Sequence, residues 1–299
     1  MTIRHLIESH FSLVLLLACA TGLLLPGIDT VPDASASVAL AMLTYASCFK
    51  LRDGGVRNIR WRDIALFYVA RYVLLPLSLY ALSHWLVPEY AMAVFLLALV
   101  PAAVSSPAFT HMFGGMVPPA FAIVISSTLL APLMIPLMFF LLGEPGISPS
   151  PLPLFRTLAF CILLPMALYA ATRRFERLSH SMYQNVKVIS IVLVAFVIAL
   201  VVAKQREVIL GDIPALIPLA ACSLGCFVIF LLFGRWLARH KPAPERITYM
   251  ACSGFNNVAL GVSLALLHFP PLVILFVAVS EMAWASVPLL MKWLTRASS

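Results

Sequence analysis

Two ionisable side chains lie near the middle of segments that are otherwise apolar. Arg71 is in the third apolar segment of the chain and Glu281 is in the last. An ionisable group at such depth in a membrane costs on the order of 3 kcal/mol and usually faces a cavity or a partner. Arg71 could therefore balance the charge of a bound anion, and Glu281 could hold a proton or a cation. The alternative is that the two residues neutralise each other as a buried ion pair.

Small and polar residues interrupt two further apolar segments at their midpoints. Residues 101–107 read PAAVSSP, and residues 252–257 read CSGFNN. The two asparagines can offer oxygens to a cation or amide donors to a carboxylate, and this interpretation is favoured because they follow a glycine in mid-span. The alternative is a hydrogen bond between helices, worth about 1 kcal/mol. The serines suit hydrogen bonding or close helix packing. The candidate binding residues in these interruptions are Ser105, Ser106, Cys252, Ser253, Asn256 and Asn257.

The interruptions have a structural consequence if the segments span a bilayer. Lipid cannot satisfy free backbone groups, so a broken helix persists only where protein or a water-filled cavity lines it. Two such breaks at corresponding positions of two chain halves are typical of a substrate site at the membrane midplane.

The composition indicates an integral membrane protein. The chain is 62% hydrophobic and 11% charged, whereas a soluble domain carries about 25% charged residues. The pattern predicts ten apolar spans, at 11–25, 34–51, 63–86, 91–113, 119–142, 152–172, 184–203, 213–234, 247–269 and 271–292. No nucleophile–base motif, phosphate loop or metal cluster appears, which argues against an enzyme. Cys252 is the one candidate for an intramembrane nucleophile, and it has no matching base.

The distribution of Lys and Arg predicts the orientation. With the N-terminus inside, fifteen Lys and Arg residues fall in inner segments and three, Arg156, Lys204 and Arg206, in outer segments. This bias places both termini in the cytoplasm. The net charge of +8 then belongs to loops that face anionic lipid, and no nucleic-acid partner is needed to explain it.

The ten spans divide into two sets of five. Residues 1–143 hold the first five and residues 152–299 the second five, with the turn-rich stretch GEPGISPSP between them. An odd number of spans per half makes the second half enter the membrane from the opposite side, which predicts an inverted repeat. Each interruption then falls in the fourth span of its half.

The segment from Gly254 to Phe269, GFNNVALGVSLALLHF, resembles the ninth-helix signature of the bile acid:sodium symporter family. Residues 101–132 are similar to its fourth and fifth helices, and residues 22–26 and 70–76 to its first and third. The resemblance, to the bacterial ten-helix type, implies an all-α membrane fold of two inverted five-helix repeats, located in the bacterial inner membrane. Helices 1, 2, 6 and 7 would form a panel, and helices 3–5 and 8–10 a core in which helices 4 and 9 cross. Members with this fold take up bile acids, pantoate and similar organic anions, commonly with sodium.

The chain departs from the family pattern at the sodium ligands. A family glutamine is replaced by a fixed cation, a glutamate by a thiol, and further oxygen ligands by proline and alkyl groups. The positions concerned are Arg71, Ser106 (kept), Pro107, Ala120, Val124, Cys252, Asn256 (for a second glutamine) and Asn257 (kept). We expect this chain to share the family fold. We do not expect sodium coupling, because sodium needs several hard oxygen ligands.

The sequence therefore predicts a secondary active transporter for a small organic anion that works by alternating access. No cofactor is expected, and the transporter would be uncoupled or proton-coupled, with Glu281 as the proton site. One alternative keeps sodium coupling in a rearranged site, with Glu281 as the missing carboxylate. Another is a non-transporting sensor on the same scaffold. The arsenite-efflux permeases are similar around the paired asparagines but carry a cysteine where Ala102 stands here.

Overall fold

The computed structural model describes residues 11–49, 60–142, 149–211, 214 and 216–296. This part of the chain is helical, and its only β-type pairing is an isolated bridge between Ala102 and Asn256. The all-helical membrane class predicted from composition is confirmed. It follows from the long apolar runs, because a helix satisfies its backbone groups internally where no water is present.

Fourteen helices are described. They are α1 (Phe11–Leu24), α2 (Ala34–Cys48), α3 (Trp61–Leu86), α4 (Ala91–Leu99), α5 (Ser106–Met112), α6 (Val117–Leu142), α7 (Pro151–Thr172), α8 (Glu176–Lys204), α9 (Arg206–Gly211), α10 (Leu216–Leu237), α11 (Ala243–Gly254), α12 (Val258–His268), α13 (Pro271–Trp284) and α14 (Val287–Arg296).

The helices overlap every predicted span, but they differ in their capacity to cross a bilayer alone. Within the described ranges, α3, α6, α7, α8 and α10 are each long and apolar enough, and α13 with α14 passes as one bent pair. The spans predicted at 91–113 and 247–269 each consist of two helices, α4 with α5 and α11 with α12. The ten-span topology as a whole stays a prediction.

The last predicted span, 271–292, consists of two helices. Its two parts, α13 and α14, meet at an angle of 48°. Pro288 lies in the first turn of α14. A proline has no N–H to donate, and in a continuous helix its ring would collide with the carbonyl four residues earlier, here that of Trp284. The Ser286 hydroxyl donates to the carbonyl of Ala283 (2.7 Å) within the bend.

The helices pack in two groups. In one group α8 lies along α1 and α2, and α7 packs on α2. Gly22 permits the close approach of α1 to α8, because a side chain there would collide with the Ala199 carbonyl. In the other group α10 packs on α11 and α13, and α5 contacts α6 and α11. Contacts of α12 with α2 and of α6 with α7 join the groups, and the two interrupted spans lie in the second group.

Candidate functional site

The two interruptions lie against each other and pair through their backbones. The Asn257 N–H donates to the Pro101 carbonyl (2.8 Å), and the Ala103 N–H donates to the Phe255 carbonyl (2.7 Å). Between them, Ala102 and Asn256 form the antiparallel bridge. Each interruption thus supplies the hydrogen-bond partners that the other has lost, and both persist in an apolar interior because of it.

Local chemistry explains why the helices stop at these residues. Pro101 follows α4 and disfavours helical geometry at Val100, which is extended (φ −61°, ψ 139°). Pro107 lies in the first turn of α5, where its missing N–H costs nothing. On the other side, the Asn257 side chain caps α12 by accepting from the Leu260 N–H (3.2 Å). Gly254, at the end of α11, admits Leu231 against its backbone, where a Cβ would collide with that side chain.

Arg71 joins the two interrupted spans. Its guanidinium donates to the Ser253 carbonyl (3.1 Å, from Nε), to the Ala98 carbonyl (2.8 Å, from Nη1) and to the Asn256 Oδ1 (2.9 Å, from Nη2). The side chain is fully buried. Two oxygen atoms of the second interruption and one from the end of α4, just before the first, therefore converge on one cation.

The charge of Arg71 is balanced by dipoles and rings. Ala98 lies in the last turn of α4 and Ser253 in the last turn of α11. The C-terminus of a helix carries about half a negative charge, so two such ends offset roughly one positive charge. The guanidinium carbon also lies over the rings of Phe230 (4.4 Å to the centroid) and Tyr72 (5.0 Å).

The backbone of α3 is locally altered where it presents this residue. Residues Ala70–Leu74 form a π-helical turn inside α3, and Pro76 follows it. Such turns are typical of functional positions in helices. Here the turn lies at the one buried arginine of the described chain.

The other polar residues of the interruptions are largely committed to the protein itself. The Asn256 Nδ2 donates to the Leu97 carbonyl (3.1 Å), so both ends of this amide are used. The Ser106 hydroxyl donates to the Phe255 carbonyl (3.1 Å). Ser105 and Asn257 are half-buried, whereas the Ser253 hydroxyl is buried and has no hydrogen-bond partner.

Three of the positions that correspond to sodium ligands in the family pattern pack in an apolar cluster. Ala120, Val124 and Cys252 have no exposed surface and belong to a buried group that includes Tyr72 and Ala102. The Cys252 Sγ lies 4.0 Å from the Ala120 carbonyl. These side chains contribute no oxygen atom.

None of the hydrogen bonds described above for the interruptions involves Glu281. Its Oε2 is buried without a hydrogen-bond partner, and so is the Nε1 of Trp284, one turn later on α13. Among the described residues Arg71 makes no ion pair with a carboxylate, since its bonds go to two carbonyls and an amide. The alternative that Arg71 and Glu281 form a buried ion pair is therefore wrong.

Sequence reasoning missed the partners of Arg71 and a polar contact between the two helix groups. Backbone carbonyls have no sequence signature, and nothing in the sequence marked Phe230 as the ring beneath the guanidinium. The contact joins the Thr157 Oγ1 on α7 and the His268 Nε2 on α12 (2.8 Å). A threonine in a neighbouring span is too common a residue to have been singled out.

An ion-pair network lies at the start of α3 and α11. Lys241 donates to Asp63 (2.6 Å) and to Glu245 (3.1 Å), and Arg60 pairs with Glu245 (3.0 Å). Partial burial lowers the pKa of Lys241, but its bonds to the two carboxylates outweigh burial and hold that pKa above its usual value. The network ties the ends of these two helices together.

Two comparisons with known proteins indicate the family of this chain. Residues 37–212, more than half of the chain, match the Sodium Bile acid symporter family. A relative from Bacillus subtilis (strain 168), named as an uncharacterized sodium-dependent transporter, is 23% identical over 277 residues, which cover 90% of this chain and 85% of the relative. The chain belongs to the Sodium Bile acid symporter family, whose members are membrane transporters and not enzymes.

Proposed function

We propose that this protein is a secondary active transporter of a small organic anion and that Arg71 takes the place of a bound sodium ion. The observation that carries the proposal is the set of three hydrogen bonds from Arg71 to the second interruption and to the end of α4, just before the first. A guanidinium and a sodium ion carry the same charge, and both are held by carbonyl and amide oxygens. A cation on a side chain supplies this charge permanently, so the charge of the site does not depend on external sodium.

The surroundings of Arg71 argue against a second cation, such as sodium, bound beside it. Another cation would lie close to a buried positive charge with no carboxylate to offset it, and like charges at short range cost several kcal/mol in an apolar interior. The apolar packing of Ala120, Val124 and Cys252 also leaves few oxygens for such an ion.

The transport movement in this proposal follows the two helix groups. Helices α1, α2, α7 and α8 act as the panel, and the remaining helices of both inverted repeats, 1–143 and 152–299, form the core. Two polar contacts between the groups support a shared, separable surface: Ser263 Oγ donates to the Ala36 carbonyl (3.5 Å), and Thr157 bonds His268. Because few polar contacts would have to break, the panel could move against the core as a rigid body at a small cost in free energy.

The anion would bind beside the paired interruptions. Ser105 and Asn257 are half-buried, and Asn257 uses its Oδ1 in capping α12, which leaves its Nδ2 to donate to a carboxylate. Arg71 contributes a positive potential from within the protein without touching the substrate in this conformation. Glu281, with its unpartnered Oε2, is the proposed proton site.

Uptake into proteoliposomes tests the proposal. Labelled taurocholate and pantoate serve as probe anions, with choline replacing sodium in one arm and a pH gradient imposed in another. We expect uptake that persists in choline, is lost in Arg71→Met and is kept in the exposed control Arg174→Gln. Strict sodium dependence of the wild type would refute the sodium-free site, and binding without counterflow would favour a sensor.

A second candidate is a sodium-coupled transporter in which Glu281 supplies the carboxylate. It is favoured by the relative's description as sodium-dependent and by the unpartnered Glu281 Oε2. In that case sodium chloride would raise the melting temperature over choline chloride, and Glu281→Gln would abolish the rise. An equal melting temperature in both salts would exclude it.

A further inference from the structure

Three arginines and a tryptophan line an open cavity at one end of α10. The cavity has a volume of about 300 Å³ and is bounded by Leu232, Arg235, Trp236, Arg239 and Arg246. None of these lining residues is acidic. A concentration of guanidinium groups around one open cavity is suited to an anion, because each can donate two parallel hydrogen bonds to phosphate or carboxylate oxygens.

The arginines are held in place by different parts of the core. Arg235 donates to the Leu294 carbonyl on α14 (2.8 Å). Arg239 lies over the Trp236 ring (4.8 Å from its guanidinium carbon to the centroid) and donates to His240 (3.0 Å). Arg246 belongs to α11. The charges therefore converge from α10, α11 and the connection between them, and the contacts of Arg235 and Arg239 pre-organise the cavity for a ligand.

The cavity opens beside a face of α10 that suits acyl chains. Ile229, Leu232 and Trp236 are spaced on one helix face and are 36%, 44% and 55% exposed. Trp236 lies at the end of an apolar 22-residue helix, where tryptophan typically marks the boundary between hydrocarbon and headgroups. A ligand with an anionic head and an apolar tail would place the head among the arginines and the tail along this face.

We propose that this cavity binds the headgroup of an anionic phospholipid. The Lys and Arg distribution assigns this end of α10 to the cytoplasmic leaflet, whose surface is anionic. Basic cavities between membrane helices on that side bind phosphate-bearing headgroups. The bound lipid would link α10, which carries Phe230 beneath Arg71, to α11, which carries the Ser253 carbonyl.

Fluorescence quenching of Trp236 tests the proposal in the full-length protein. Purified protein in neutral detergent is titrated with phosphatidylglycerol that carries brominated acyl chains, and with phosphatidylcholine of the same chains. The signal of Trp236 is the difference between each protein and its Trp236→Phe counterpart. We expect phosphatidylglycerol to quench Trp236 at a much lower concentration than phosphatidylcholine does.

A charge-matched pair of variants identifies the arginines. Each arginine near an anionic lipid surface strengthens binding about fivefold, so Arg239→Gln with Arg246→Gln should weaken binding about 25-fold. The control, Arg173→Gln with Arg174→Gln, removes the same charge from another connection on the same predicted side and should bind as the wild type does. Millimolar inorganic phosphate should not displace the lipid.

Three results would overturn the proposal. Equal quenching by both lipids would mean non-specific contact with surrounding lipid. Equal weakening in both double variants would mean a general effect of surface charge. Displacement of the lipid by millimolar inorganic phosphate would mean a site for free phosphate and not for a lipid.

Discussion

Replacing Arg71 by glutamine tests whether a resident cation holds the crossing of the two interruptions together. The change removes a buried charge and leaves three acceptors, the carbonyls of Ala98 and Ser253 and the Asn256 Oδ1, with at most the two N–H groups of the glutamine amide as donors. A buried acceptor left without a donor costs about 1–3 kcal/mol. The stability of the folded protein in detergent should fall by that amount.

The same change should make the protein responsive to sodium. The three acceptors become available to a metal ion, and a second substitution, Cys252→Glu, adds a carboxylate in the adjacent buried position. If the double variant binds sodium with a Kd ten times below the salt concentration, binding contributes about 1.4 kcal/mol of stability. Sodium should therefore raise the melting temperature of the double variant and leave that of the wild type unchanged.

Thermal unfolding in detergent, in sodium chloride and in choline chloride at equal ionic strength, measures both effects. Arg71→Lys, which keeps a charge but reaches fewer acceptors, should lie between the wild type and Arg71→Gln. Arg174→Gln, an exposed arginine, is the control for loss of charge. A wild-type protein that sodium stabilises, or an Arg71→Gln variant as stable as the wild type, would refute the reasoning.

Substitutions at three further positions test other contacts of the structure. Gly234→Ala should destabilise the protein by about 1–3 kcal/mol in the same unfolding assay, because its methyl group would collide with the Tyr249 carbonyl on the neighbouring helix; unchanged stability would contradict that close approach. Asn257→Ala should remove a helix cap worth about 1 kcal/mol and lower uptake, whereas Asn257→Asp should keep the cap and still lower uptake; wild-type uptake by either variant would contradict a role in anion binding. Thr157→Val should remove the contact with His268 and lower the stability by no more than about 1 kcal/mol. It should also change the transport rate. A transport rate equal to that of the wild type would argue against a role for this contact in the movement.

The positions of the interruptions could be predicted because proline and paired asparagines have local effects on helices. The bend between α13 and α14 had a local signal as well, in Pro288, but a continuous apolar pattern concealed it. Hydropathy measures the length of a span and does not register a change of direction within it. Helix breaks can thus be predicted from the sequence, whereas a bend inside an apolar segment can be predicted only if each proline is considered individually.

The partners of Arg71 could not be predicted, for a physical reason. The depth of the arginine in its span indicated that it must be satisfied, and the sequence offered Glu281 as the obvious counter-charge. The structure satisfies it with carbonyls of Ala98 and Ser253, which every residue possesses. Side-chain pairing can be guessed from residue types, but pairing with helix ends depends on where those ends meet in space.

The two interruptions are held together by their backbones, whereas the choice of ion or substrate depends on side chains. The bonds between Asn257 and Pro101 and between Ala103 and Phe255 use only main-chain atoms, so most side chains nearby can be exchanged without dissolving them. Point substitutions could therefore change the coupling ion or the substrate of such a protein without disrupting the contact between its two interruptions. The proposed replacement of ion ligands by an arginine and an apolar cluster is one result that this freedom would allow.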